Sequence, residues 1–211
     1  MWYLFLKTLG QVGFILFFKY RAYGVKNVPR YGALIIACNH QSYMDPVAVG
    51  IPLVRRFGSL ARESLFRNPA FGWLLRALGS MPLDRGSADL GAMRAGLRLL
   101  REGKLLLLFP EGTRTQDGSI GELQPGLAVL AARSGAVVVP AVIDGAYEAW
   151  PRKRSLPGLG RVRVAYGRPM RYEGHGSKEA EVFIKELRAK MVALQAGLKD
   201  GSIQSGQFKG Q

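Results

Sequence analysis

The chain of 211 residues is long enough to bury a sizeable core as one domain, and its 48% hydrophobic content excludes a largely disordered protein. Thirty lysines and arginines against fifteen acidic residues give a formal charge of +15, so the expected partners are anionic: membranes, charged ligands or nucleic acid. The lone cysteine, Cys38, excludes a disulfide within the chain, and with only two histidines it argues against a zinc site.

The N-terminal 18 residues, MWYLFLKTLGQVGFILFF, are apolar apart from Lys7 and a few small or polar residues. As a helix, the uninterrupted stretch from Thr8 to Phe18 would span only about 16 Å, against a hydrocarbon core of roughly 30 Å. The basic residues Lys19 and Arg21 follow the apolar part, which is the reverse of a signal peptide. We therefore predict a helix that lies in the membrane interface. A core helix and a true membrane span remain the alternatives.

Beyond residue 22, short apolar runs suited to strands alternate with amphipathic helical patterns. The predicted strands are Leu34–Cys38, Phe57–Ala61, Ser80–Leu83, Leu105–Phe109, Val137–Ile143 and Arg161–Tyr166. The predicted helices are Pro46–Val54, Leu65–Leu78, Leu90–Arg101, Gly126–Arg133 and Lys178–Lys199. This alternation predicts an α/β domain with a mostly parallel central sheet flanked by helices. Four successive leucines at 105–108 predict a central strand buried on both faces.

The predicted domain organisation has three parts. Residues 1–22 are an amphipathic membrane-anchoring segment, residues 23–200 form the α/β domain, and residues 201–211 are a disordered tail without hydrophobic periodicity. Residues 150–175 contain seven basic residues and one glutamate among prolines and glycines, and they are predicted to form an exposed basic loop and an edge strand.

Polar clusters directly follow three of the predicted strands. NHQSYMD, residues 39–45, follows the first strand, Asp84-Arg85-Gly86 follows SMPL, and Glu111-Gly112-Thr113-Arg114 follows LLLLFP. In open α/β sheets ligands bind beyond the carboxyl ends of the strands, so parallel strands would bring these clusters to one rim. Each cluster also has a structural interpretation. Asp45 before Pro46 suits a helix N-cap, and the other two clusters suit turns with surface ion pairs.

Four sequence blocks, NHQSYMD, GSMPLDRG, FPEGTRT and VVVPAVIDG, occur in this order between about Gly24 and Arg168. They resemble the four ordered blocks of the glycerolipid acyltransferases, and the short chain with its amphipathic N-terminus is similar to the bacterial 1-acyl-sn-glycerol-3-phosphate acyltransferases. This resemblance implies transfer of a fatty acyl group from acyl-CoA or acyl carrier protein to the sn-2 hydroxyl of lysophosphatidic acid, giving phosphatidic acid. It implies no cofactor, no nucleic-acid partner, and a location on the cytoplasmic face of the cell membrane.

The resemblance also implies roles for individual residues. His40 matches the catalytic histidine and Asp45 its partner, while Pro140 falls on the proline of the fourth block, which is associated with the acyl or donor side. The residues implied in substrate binding are Arg62, Arg85, Glu111, Gly112, Thr113 and Arg114. Two departures occur: Arg62 stands where a lysine is expected in many relatives, and Gln124-Pro125-Gly126 replaces a more usual Lys-Pro-Gly.

Acyl transfer to an alcohol explains the need for a histidine and a carboxylate. A positioned imidazole that removes the hydroxyl proton accelerates such reactions by about 10²- to 10⁴-fold, and Asp45 would fix the tautomer of His40. Ser42 offers an alternative route through a covalent acyl-enzyme. Two other hypotheses stay open: an acyltransferase that uses another lysolipid, such as a lyso-ornithine lipid, and a non-catalytic basic protein that binds membranes or nucleic acid.

Overall fold

The computed structural model describes residues 12–13, 15–55, 57–62, 67, 69, 72–73, 80–83, 88–151, 154, 156–174 and 176–203. The predicted helix Leu65–Leu78 and the cluster Asp84-Arg85-Gly86 lie wholly or mostly outside these residues, as does the tail beyond residue 203. Residues 12–13 and 15–18 are helical, consistent with a helical N-terminal segment.

A seven-stranded sheet forms the centre of the molecule. Its strands are β1 (Arg21–Tyr23), β2 (Leu34–Cys38), β3 (Phe57–Arg62), β4 (Ser80–Leu83), β5 (Leu105–Leu108), β6 (Val137–Asp144) and β7 (Arg163–Tyr166). They lie in the order β1-β7-β6-β2-β5-β3-β4. Every neighbouring pair is parallel except β6 and β7. The predicted mostly parallel sheet is therefore confirmed.

One prediction about the sheet is wrong. The strand near residue 163 was expected at an edge, but β7 lies between β6 and β1. Strand β1 pairs with it in register Ala22↔Val164. A three-residue strand is too short to show a period of two, so the sequence RAY carries no strand signal. Because Arg21 and Ala22 belong to the sheet, the predicted anchoring segment overlaps the folded domain at its last two residues.

The helices cover both faces of the sheet. Within the described residues from 20 onward, those with complete bounds are α1 (Asp45–Gly50), α2 (Ala88–Arg101), α3 (Gly126–Ser134), α4 (Ala146–Ala149) and α5 (Ser177–Lys199), with a short 3-10 helix at Val25–Asn27. Helix α1 is shorter than predicted because Pro52 has no N–H to continue it. Helix α4 was not predicted, since four residues are too few to show helical periodicity.

The core consists of two apolar layers separated by the sheet. Strand β2 is completely buried, with Ile35 facing the layer under α2, α3 and α5, and Leu34 and Ile36 facing the layer under α1 and α4. Strand β5 alternates in the same way, with Leu106 on the first side and Leu105 on the second. Burial on both faces explains why these strands contain runs of apolar residues rather than an alternating pattern.

The strand directions define two rims of the sheet. We call the edge at which β2, β5 and β6 end, and at which β1 and β7 begin, the carboxyl rim; the opposite edge is the amino rim. Because β2 and β5 are parallel and paired at Ala37↔Leu108, the segments that follow them leave the sheet side by side. This topology brings the first and third polar clusters together, as predicted.

Candidate active site

His40 and Asp45 form a hydrogen-bonded pair on the carboxyl rim. His40 Nδ1 lies 2.7 Å from Asp45 Oδ2, and the Asp45 side chain is completely buried whereas that of His40 is 22% exposed. The carboxylate accepts a hydrogen bond from the Nδ1–H group of His40. The neutral imidazole therefore keeps its lone pair on Nε2. A base at the protein surface with an oriented lone pair is therefore available on the carboxyl rim.

The turn between β2 and α1 shapes this pair. Asp45 Oδ2 also accepts hydrogen bonds from the backbone N–H groups of Gln41 and Ser42, at 2.6 Å and 2.7 Å. These donors precede α1 in sequence, and the N-cap residue is Met44, so the interpretation of Asp45 as a helix cap is wrong. Burial raises the pKa of the Asp45 carboxyl, while the bonds from His40 and from the two N–H groups oppose that rise.

An aromatic ring fixes the plane of the imidazole. The ring of Phe109, the residue directly after β5, stacks on His40 with centroids 4.2 Å apart and planes 19° apart. Asn39 fixes the strand end: its amide donates to Ile143 O at 3.0 Å and accepts from Ile143 N at 2.8 Å. The side chain of His40 is thus constrained by β5, and its backbone by β6.

Glu111 holds the backbone of His40 in place. Its Oε1 accepts from His40 N and its Oε2 from Gly121 N, both at 2.9 Å. On the other side of the residue, Thr115 N donates to His40 O at 2.8 Å. Both carboxylate oxygens of Glu111 are therefore engaged within the protein, which makes this residue a support for His40. The substrate-binding role implied for Glu111 by its sequence block stays a prediction.

The segment from Glu111 to Gly121, here called the 111–121 loop, is fastened to the rest of the domain by side chains. From α5, Arg188 donates to Ile120 O and Gly121 O, and Gln195 donates to Gly118 O. Gln41 also donates to Gly118 O, at 3.2 Å. These bonds compensate for the lack of regular structure in the loop, so the position of His40 depends on a helix far away in sequence.

Arg114 lies beside the His–Asp pair with unused hydrogen-bonding capacity. Its guanidinium carbon is 3.6 Å from the ring centroid of Tyr43, a cation–π contact. Its Nη1 is buried and has no hydrogen-bond partner in the part of the chain that the structure describes. Gly112 has a φ of 69°, which favours glycine, and allows the loop to turn sharply before the exposed Thr113. The geometry suits capture of an anion.

The remaining predicted site residues are Arg62, Arg85 and Pro140, and the structure describes them only in part. Arg62 ends β3 on the carboxyl rim, but its side chain is not among those described, and Arg85 lies outside the described residues. Pro140 is buried within β6, paired with Ala37, and its carbonyl accepts from Gly167 N at 2.8 Å. The structure thus brings together His40, Asp45 and the 111–121 loop, while Pro140 lies within the sheet opposite Ala37.

Ser42 is poorly placed to act as a nucleophile. It is completely buried, and its hydroxyl donates to Trp150 O at 2.7 Å. A hydroxyl whose proton is committed to a buried carbonyl is not positioned to attack an acyl group that arrives from the rim. The geometry therefore favours direct transfer over the covalent alternative.

Sequence reasoning missed several supporting residues: Asn39, Gln41, Tyr43, Phe109, Arg188 and Gln195. Three of them lie within the block NHQSYMD, so their position in sequence was available as a signal. Their partners are mostly backbone carbonyls and N–H groups distant in the chain, which no local pattern identifies.

Among the described residues, no helix is both long enough and apolar enough to cross a bilayer.

The fold and the site define a class of protein: a mostly parallel α/β domain with a hydrogen-bonded imidazole–carboxylate pair on its carboxyl rim. A family model described as Acyltransferase matches residues 19–144, more than half of the chain. The chain belongs to this acyltransferase family, which confirms the family implied by the four sequence blocks.

Individual relatives agree with this assignment. The chain is 30% identical over 189 residues to the chloroplastic 1-acyl-sn-glycerol-3-phosphate acyltransferase LPAT1 of Arabidopsis thaliana, covering 88% of this chain and 51% of that protein. It is 28% identical over 182 residues to the 1-acyl-sn-glycerol-3-phosphate acyltransferase of Bacillus subtilis (strain 168), covering 85% and 86% respectively. The chain thus spans about half the length of the plant relative and most of the bacterial one.

A solved structure shares the fold. The 1-acyl-sn-glycerophosphate (LPA) acyltransferase PlsC of Thermotoga maritima superposes with a TM-score of 0.78 at 26% sequence identity. The similarity covers 93% of this chain and 80% of that one. The two proteins therefore share one architecture over most of this chain.

Proposed function

We propose that the protein transfers a fatty acyl group from a thioester to the sn-2 hydroxyl of 1-acyl-sn-glycerol 3-phosphate, with His40 as the general base. The observation that carries this proposal is the bond between His40 Nδ1 and Asp45 Oδ2, which leaves Nε2 as the proton acceptor on the carboxyl rim. Family membership supports acyl transfer, and the activity for which the similar proteins are named supports the acceptor.

The proposed reaction runs through one imidazole. Nε2 of His40 takes the hydroxyl proton as the acceptor oxygen attacks the thioester carbonyl. The tetrahedral intermediate then collapses, the carbon–sulfur bond breaks, and the imidazolium returns the proton to the leaving thiolate. Asp45 stabilises the imidazolium between these two steps, as the carboxylate does in a serine-protease triad. The products are phosphatidic acid and a free thiol.

Arg114 is the proposed clamp for the acceptor phosphate. A buried guanidinium nitrogen without a partner in the described part of the chain is a costly feature that a phosphate oxygen would relieve. The stacked Tyr43 ring holds the guanidinium plane, which favours paired bonds to an oxyanion. A phosphate fixed there sets the distance between the sn-2 hydroxyl and His40. This favours a phosphorylated acceptor over a phosphate-free lysolipid.

The acyl donor is proposed to be acyl-CoA or an acyl carrier protein. Coenzyme A carries phosphates and acyl carrier proteins are acidic, so the +15 charge of the chain suits both. No cofactor is required by this chemistry, because the thioester itself supplies the activated acyl group.

The proposed location is the cytoplasmic face of the membrane, with residues 1–22 as the anchor. Within the described part of this segment, four apolar side chains are exposed: Val12, Ile15, Leu16 and Phe17, at 47%, 57%, 72% and 60%. A helix that exposes this much apolar surface suits the boundary between lipid headgroups and acyl chains. An anchor of this kind would place His40 where a lysolipid acceptor is found.

A substrate panel tests the proposal. Purified protein is given acyl-CoA or acylated acyl carrier protein, each with lysophosphatidic acid, with lysophosphatidylcholine, or with a phosphate-free lysolipid. We expect thiol release that depends on the acceptor, phosphatidic acid as the product by mass spectrometry, and a strong preference for lysophosphatidic acid. Absence of acceptor-dependent thiol release with either donor would contradict the proposed activity.

A further inference from the structure

The loop between α4 and β7 exposes two leucines on the carboxyl rim. Leu156 and Leu159 are 75% and 81% exposed. Hydrogen bonds hold the base of this loop: Gly158 N donates to Ala149 O at 2.7 Å, and Trp150 Nε1 donates to Arg154 O at 3.0 Å. Single exposed leucines are common, but two within four residues of a tethered turn form a local apolar tip. We propose that this tip is a second membrane contact that inserts into an anionic bilayer.

The tip adjoins the apolar N-terminal surface. Val162, three residues after Leu159, donates from its N–H to Phe18 O at 2.8 Å and accepts from Arg21 N at 3.1 Å. Phe18 directly follows the exposed Leu16 and Phe17. The two apolar surfaces therefore leave the carboxyl rim from neighbouring, hydrogen-bonded strands, and a single plane of lipid can meet both.

The charges around the tip specify the partner. Arg154 and Arg161 flank the leucines and are exposed, and Lys19 and Arg21 are exposed on the adjacent segment. Leucine side chains at the hydrocarbon boundary with guanidinium groups at phosphate level match the profile of an anionic bilayer surface. An acidic protein could pair with the arginines, but it would need an apolar patch of its own to cover both leucines. The combination therefore favours lipid.

The same loop touches the wall of the active site. Trp150, at the base of the loop, accepts the Ser42 hydroxyl bond, and its ring lies 5.8 Å from the ring of Tyr43. The ring of Tyr43 in turn packs against the guanidinium of Arg114. Insertion of the tip would hold the Arg114 side of the site at headgroup depth, so that an acceptor enters without leaving the membrane. That consequence rests on the proposed function, whereas the docking itself does not.

Site-specific fluorescence tests the contact. Cys38 is completely buried, and burial raises the pKa of its thiol, so reagents would label an introduced cysteine selectively. An environment-sensitive dye is placed on Leu159→Cys and, as a matched control, on Val54→Cys. Val54 is 83% exposed but lies between α1 and β3, at the amino rim. Vesicles of phosphatidylcholine with phosphatidylglycerol are added, and vesicles of phosphatidylcholine alone serve for comparison.

We expect a blue shift and protection from acrylamide quenching for Leu159→Cys with the anionic vesicles, and neither change for Val54→Cys. An unchanged Leu159→Cys signal, or equal responses at both positions, would overturn the proposal. A response to acyl carrier protein in the absence of vesicles, with none to lipid, would make the loop a protein-docking surface instead.

Vesicle binding of unlabelled variants gives a second test. The double variant Leu156→Ser/Leu159→Ser should bind anionic vesicles on the order of tenfold more weakly, because apolar area returns to water. The matched variant Tyr31→Ser/Val54→Ser, with both positions exposed at the amino rim, should bind like the wild type. Sedimentation with vesicles requires no catalysis, so it remains decisive even if the proposed activity fails. Equal binding of the leucine variant and the wild type would contradict the contact.

Discussion

The carboxyl rim contains two regions built on opposite principles. The inner region is made of residues 40–45 and the 111–121 loop. Its hydrogen bonds converge on two buried carboxylates, those of Asp45 and Glu111. The outer region, made of residues 12–13, 15–18, 154 and 156–161, exposes apolar side chains beside basic ones. The inner region holds the side chains of His40 and Asp45 in one geometry. The outer region exposes separate side chains, each of which can contact a partner independently of the others.

This difference has energetic consequences. Each charge-assisted bond of the inner region contributes about 1.5–3 kcal/mol, and the loss of one displaces groups that share the same carboxylate. Asp45 illustrates this, since one oxygen accepts three bonds. In the outer region, each apolar side chain that entered a bilayer would contribute its own free energy of transfer from water to lipid, independently of its neighbours. Substitutions should therefore act sharply in the inner region and in graded steps in the outer one.

After the loss of His40 itself, Asp45→Asn should show the sharpest effect. The amide oxygen can still accept from His40, Gln41 and Ser42, while the NH₂ group takes the place of Oδ1, which is buried and has no partner among the described residues. The fold should survive without the negative charge that stabilises the imidazolium. We expect kcat to fall on the order of 10⁴-fold, as for the corresponding substitution in a serine-protease triad. Unchanged circular dichroism together with near-normal kcat would contradict the assigned role.

Glu111→Ala should be the next most severe change. It removes the acceptor of both His40 N and Gly121 N, so the imidazole shifts although its own atoms are unaltered. A displacement of about 1 Å costs roughly 10²-fold in rate, and we expect a loss of that order in kcat with little change in the KM for the donor. Glu102→Ala, on an exposed carboxylate at the amino rim, is the control and should behave as wild type. A rise in acceptor KM alone would instead indicate direct substrate binding by Glu111.

Arg114→Ala should mainly weaken acceptor binding. Loss of a charge-assisted bond to phosphate, worth about 1.5–3 kcal/mol, predicts a ten- to over hundredfold higher KM for lysophosphatidic acid. The KM for the acyl donor should change far less. Arg133→Ala, on the last turn of α3, is a matched removal of one positive charge away from the site. If the donor KM alone rises, Arg114 does not act as the phosphate clamp.

Leu16→Ser/Phe17→Ser should have the smallest effect, a moderate weakening of vesicle binding. Both side chains are exposed, so the fold does not depend on them. We expect anionic vesicle binding to weaken by about tenfold, and the remaining binding to become sensitive to high salt. Activity on a short-chain, water-soluble acceptor should persist. A variant that stays tightly bound in high salt would place the membrane anchor elsewhere in the chain.

The sequence predicted the geometry of the inner region better than the exposed surface of the outer region. The strand positions, the parallel sheet and the meeting of His40 with the 111–121 loop followed from apolar runs and from polar clusters at strand ends. Long-range support for the site did not, because Arg188, Gln195 and Glu111 act through backbone groups distant in the chain. Strand β1 escaped prediction because it is short. The Leu156/Leu159 tip escaped because exposure depends on what the fold leaves uncovered.

The His40→Ala variant tests most directly whether His40 removes the proton from the acceptor hydroxyl. Steady-state formation of phosphatidic acid is measured at saturating thioester and lysophosphatidic acid, beside His175→Ala, which removes the only other histidine. We predict that His40→Ala loses roughly 10²- to 10⁴-fold or more in kcat while remaining folded, and that His175→Ala retains wild-type turnover. A folded His40→Ala protein with near-normal turnover would contradict the account.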